Sequence, residues 1–143
     1  MTSLIWRLAA GSACIAVLVS IGCGRDPNTA YARTLERAAS WSAAVQFTNE
    51  LARSRLVPRS YVHDVLSTAA DEFAAVRKQI LEADDIPAAE RNDAAAACER
   101  LAAIVENADR AKAIGDDTEL REVEIHLRDA ATRVRSGAVA RRQ

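Results

Sequence analysis

Between Val57-Pro58 and Asp84-Asp85-Ile86-Pro87 the chain carries Val62, Val65, Leu66, Ala69, Phe73, Val76 and Ile80. That spacing repeats near 3.6 residues and not near 2, so it paints one face of an α-helix. An amphipathic helix has to cover its apolar stripe against another element. Three more stripes are present to do so. Tyr31, Leu35, Ala38, Trp41, Val45, Ala52 and Leu56 form one, with Ser42 and Asn49 on the same line; Ala94, Ala97, Leu101, Ile104, Val105, Ala108 and Ala111 form another, with Cys98 on its flank. The last is Leu120, Val123, Leu127, Ala130 and Val134. Abundant alanine, only 5 glycines and 3 prolines, and 4% aromatic residues favour helix over strand throughout.

Breaks between the stripes are short. In Asp26-Pro27-Asn28 a capping acid or amide flanks a proline suited to a first helical turn. Val57-Pro58-Arg59-Ser60 stops the first helix after about Ser54, because proline inside a helix removes a hydrogen bond. Pro87 opens the third helix, and Gly115 followed by Asp116-Asp117-Thr118-Glu119 closes it and caps the fourth, which is expected to end near Gly137. Helix starts near residues 29, 60, 87 and 116 give rods too long for the paired short helices of a tetratricopeptide repeat. Short connections make successive helices antiparallel neighbours, so the expected fold is all-α: an antiparallel up-down-up-down four-helix bundle over residues 30–137, with a basic tail at 138–143. Without residues 1–22, read below as a signal, 121 of the 143 residues are left, enough for one such domain and too few for two.

Ahead of the bundle lies a different kind of segment. Arg7 and the amino terminus precede an apolar run from Leu8 to Ile21, too short to span a bilayer in comfort and laid out as a secretory signal. It ends in Ser20-Ile21-Gly22-Cys23 and turns to charge at Arg25-Asp26. This junction resembles the lipobox of bacterial lipoproteins, with Ser20 where that family usually has Leu. The resemblance implies cleavage after residue 22, a diacylglycerol thioether on Cys23 with a further acyl chain such as palmitate on its amino group, and a tether over residues 23–29. Several acyl chains, at roughly 0.8 kcal/mol per buried methylene, anchor stably where one would not. It also implies a cell-envelope location and, through Gly24 in a Gram-negative cell, the periplasmic face of the outer membrane.

For chemistry the chain offers little. With 19 basic and 20 acidic side chains it has no electrostatic case for nucleic acid. Of 3 cysteines, Cys14 leaves with the signal and Cys23 is acylated, so Cys98 has no disulfide partner and reads as a small buried side chain. His126 shares a helix flank with Glu122 and Glu119, a conceivable metal or small-ligand face, but the Glu-x-x-His pair of di-iron bundles is absent because Val123 stands in its place. No nucleophile-elbow glycine-serine motif, phosphate loop or haem-attachment motif is present, and Asp84-Asp85 and Asp116-Asp117 fall where capping explains them. The expectation is a non-enzymatic protein with no catalytic residues, no cofactor and no resident metal. Its one unexplained surface is on the first helix, where Phe47, Leu51, Ala43 and Ala44 point away from the core stripe. They are read either as an interface for a partner protein or a second copy, or as the sign of a first helix buried more deeply than the others or packed against the lipid surface beside Cys23.

Overall fold

The structure, a computed structural model, describes residues 26–111 and 117–140. The signal segment, Cys23, Gly115 and residues 141–143 lie outside the described residues. Four helices follow in order: α1 Pro27–Arg53, α2 Arg59–Leu81, α3 Ala88–Ala111 and α4 Thr118–Ala140. Among the described residues there is no strand. α1 packs closely on α4 and on α2, and α2 on α3, while the α3–α4 seam is the sparsest side and the diagonal pair α2–α4 does not touch. This is the expected closed ring of antiparallel neighbours.

Local chemistry accounts for each helix end. The Asp26 carboxylate accepts from the Asn28 backbone N–H (3.3 Å) and the Thr29 hydroxyl (3.2 Å), with Pro27 in the first turn. α1 closes with a paired motif: Arg55 N–H donates to the Ala52 carbonyl and Leu56 N–H to the Leu51 carbonyl. That Schellman geometry requires a left-handed residue, and Arg55 supplies it at φ 56°. α2 begins behind Pro58, which offers no side-chain cap, and no acid lies in its first turn. Arg91 ties the α2–α3 turn, donating to the Leu81 carbonyl and the Asp84 carboxylate at 2.9 Å each.

Twenty-three apolar residues from all four helices and the α2–α3 turn form one continuous core. Phe73, Leu35, Ile80, Leu101, Leu120 and Leu127 are its largest fully buried members. α1 contributes small residues, with Ala32, Ala38 and Ala39 completely covered. Short side chains let two neighbours approach α1 at once. Ser42 meets that crowding by donating to the Leu120 carbonyl at 3.0 Å, which satisfies a buried hydroxyl and fixes the α1–α4 register.

Four differences from the sequence reading have physical causes. Leu56 lies past the Schellman turn and is 71% exposed instead of buried. Trp41, Val62, Ile104, Ala108 and Ala130 pack only partly covered against the core edge, and Val65 and Ala52 are also half-buried. Ala131, one residue on from Ala130, takes the core position on α4, and Cys98 lies wholly inside rather than on a flank. Lastly, α4 runs through Gly137 to Ala140, three residues beyond the expected end, so the tail assigned to 138–143 begins as helix. A single interior glycine costs only about 1 kcal/mol relative to alanine and does not by itself stop a helix.

Candidate functional site

The residues singled out in the sequence are not gathered in one place. Phe47 stands 61% exposed on the outer face of α1, but Ala43, Ala44 and Leu51 are half-buried because α1 is flanked on two sides. His126 turns away from its own helix: its Nε2 lies 2.8 Å from Asp93 Oδ2 on α3, clipping the sparse α3–α4 seam. Glu122 and Glu119 are exposed on α4. Among the described residues no group of three or more His, Cys, Asp or Glu is close enough to hold a metal ion. Burial pushes the Cys98 thiol up to about 12, which keeps it in the un-ionised, weakly nucleophilic form. Burial does the same to Tyr31, also up to about 12, and its hydroxyl donates to the Glu90 carbonyl at 3.3 Å.

A cavity of about 830 Å³ opens at the other end of the bundle, where α1 finishes, α2 starts and α3 finishes. Its walls are apolar: Ala52 from α1, Val57 from the connection, Val62 and Leu66 from α2, and Ala108 from α3. Around that lining the rim is cationic. Arg53 is bonded to Asp117 at the foot of α4, while Arg55 and Arg59 project into solvent and have no ion pair among the described residues. On the α2–α3 side, His63 Nδ1 meets Asp109 Oδ1 at 2.6 Å. That hydrogen bond, with the charge of the same carboxylate, holds the His63 imidazole above its ordinary value.

Asn49 is the polar group set into the wall. It is 2% exposed, and its Nδ2 donates to Asp117 Oδ1 at 2.8 Å, but its Oδ1 is buried without a hydrogen-bond partner. A buried orphan acceptor costs about 1–3 kcal/mol. Asp117, expected only as a cap, therefore does two jobs. Its carbonyl accepts the first α4 hydrogen bond, from Arg121, while its carboxylate holds Asn49 and Arg53.

Sequence reasoning placed Asn49 on the core side but did not connect it to Arg55 and Arg59. One local signal was available: a helix start behind Pro58, with arginines at 55 and 59 and no acid in the first turn, is the reverse of the usual charge pattern at a helix N-terminus. No family model matches the chain, and comparison with curated proteins and with solved structures finds no similar one.

Proposed function

We propose that this chain is a bacterial lipoprotein, held at the cell envelope by acylated Cys23, whose four-helix bundle works as a non-enzymatic interaction module. The carrying observation is the junction Ser20-Ile21-Gly22-Cys23, placed directly after a short apolar run and directly before charge. Two structural facts fit it. The first helix starts at Pro27, so the folded unit begins within a few residues of the anchor. Among the described residues no helix is long and apolar enough to cross a membrane. In a Gram-negative cell Gly24 directs this reading to the periplasmic face of the outer membrane, and exposed Phe47 is the anchor point for a protein partner or second copy.

Mass spectrometry of the protein from a bacterial membrane fraction tests the reading. Acyl chains on Cys23 and loss of residues 1–22 are expected, and Cys23→Ser should abolish both the added mass and membrane retention. A bare thiol at Cys23 with the leader still attached would overturn it. For the interaction surface, Phe47→Glu is expected to change oligomeric state or crosslinked partners while leaving the helical signal intact.

A further inference from the structure

We infer that the outer face shared by α1 and α4 is a self-association surface, on which a second copy of this chain sits, related by a two-fold axis parallel to the helices. That occupant, the second helix and the symmetry go beyond the reading of Phe47 as an interface anchor, on which they rest. Phe47 is not alone on this face. Ile125 of α4 is 54% exposed, against 61% for Phe47, and the hydrogen bond from Gln46 Nε2 to Glu124 Oε2 at 2.7 Å fixes where the two stand. Each follows a member of that pair by one residue, a turn of about 100° and a rise of about 1.5 Å. Because α1 and α4 run antiparallel, the two turns carry both side chains to the same outer side of the helix pair, within about 3 Å of one height. Ala43, one turn back from Phe47, is small and half-buried, which leaves a shallow seat beside the phenyl ring. Two large apolar side chains from different helices on one exposed face are an interaction patch and not scattered surface residues.

Charge names the occupant. Glu50 lies four residues beyond Gln46 on α1, and Arg121 lies three before Glu124 on α4, so the two stand at nearly one height on the same face. Both are exposed, and neither has an ion pair among the described residues. A half-turn about an axis parallel to the helices sets α1 on α4 of the second copy with every height unchanged. It brings Phe47 onto Ile125 of the second copy and Glu50 opposite its Arg121, and symmetry repeats both contacts. Turning the copy end over end would instead set α1 on α1 and part Glu50 from Arg121. It would also send the two first turns, and the tethers ahead of them, to opposite ends, whereas the parallel axis keeps both at one membrane. The apolar centre spans only about 20 Å across the two helices and belongs with the small, transient interfaces. The dilute chain is therefore monomeric, and the pair forms where a membrane plane concentrates it.

The test is disulfide crosslinking of the full chain in the bacterial envelope. Two differently tagged copies are co-expressed, one carrying Phe47→Cys and the other Ile125→Cys, and oxidised with copper phenanthroline; the acyl mass on Cys23 is read in the same membrane fraction. A mixed dimer joined through the two new thiols is expected, several-fold more abundant than the dimer from Phe47→Cys alone or from Ala96→Cys, an exposed position on α3. Glu50→Arg or Arg121→Glu, made in both copies, should each reduce the mixed dimer about fivefold. The two reversals together should restore it, which a loss of folding could not do. Adducts of Phe47→Cys with a different protein and none with a second copy would overturn the proposal and leave the interaction module standing. Absence of any adduct at Phe47 would overturn both. A dimer strongest from Phe47→Cys alone, or one that the double reversal fails to restore, would overturn the parallel two-fold. The mass on Cys23 decides the anchor separately.

Discussion

At the level of single residues, the bundle buries groups that burial keeps un-ionised and leaves a paired histidine at its surface. Cys98 and Tyr31 are held un-ionised by burial, whereas His63 sits fully at the surface with its imidazole raised by Asp109. The sign of the resulting pH dependence follows from that direction. A raised imidazole means the His63–Asp109 pair contributes fully below the ordinary histidine value of about 6.5 and is lost as pH climbs through the higher folded value. An NMR titration of the His63 ring should therefore place its midpoint above the ordinary value in the native protein, and Asp109→Asn should bring it down. An unchanged midpoint in that variant would show that Asp109 is not the cause.

Among the helices, α1 packs closely against α4 and α2 and also touches α3. Its periodicity was legible as one stripe, yet Ala32, Ala39 and Thr48 are buried as well. Two neighbours widen the covered arc beyond what a single amphipathic face predicts, and side-chain periodicity alone does not report how many helices lie alongside. The stripe of α2 was read almost completely, since its apolar residues recur at spacings of three and four and Leu66, Ala69, Phe73, Val76 and Ile80 are all buried. Breaks at proline and at capping acids located every helix start within about two residues because those residues act locally. The cavity was not legible. It is made by Asn49, Arg55, Arg59 and Ala108, which no sequence spacing relates to one another. Replacing Phe73, completely covered at the centre of α2, by alanine should cost about 3–5 kcal/mol through lost burial and a residual cavity. Phe47→Ala, on the exposed outer face of α1, should cost close to nothing. Urea denaturation of the two variants checks the contrast, and similar losses in both would show that Phe47 is covered in solution.

As a whole molecule, the bundle is a rod with two chemically different ends. One end holds Asp26, the α2–α3 turn and the Tyr31–Glu90 bond that ties α1 to α3; the other holds the cationic cavity. If acylated Cys23 is the anchor, it lies only three residues from Asp26, a reach of about 10 Å, so the first end is confined near the lipid while the 27-residue α1 carries the second roughly 40 Å away. Swinging about the tether changes the instantaneous height of the cavity but not the order of the two ends averaged over time. Reconstitution of the acylated protein into nanodiscs with headgroup spin-labelled lipid should therefore broaden the amides of Asp84, Asp85 and the first turn of α1 most. Those of Arg55, Arg59 and Ser60 should be broadened least. The reverse gradient would place the cationic end on the membrane, and equal broadening at both ends would mean that the rod lies flat; either result would refute an outward-facing cavity. The same spectra from a Cys23→Ser protein, which has no anchor on this reading, should show no gradient at all.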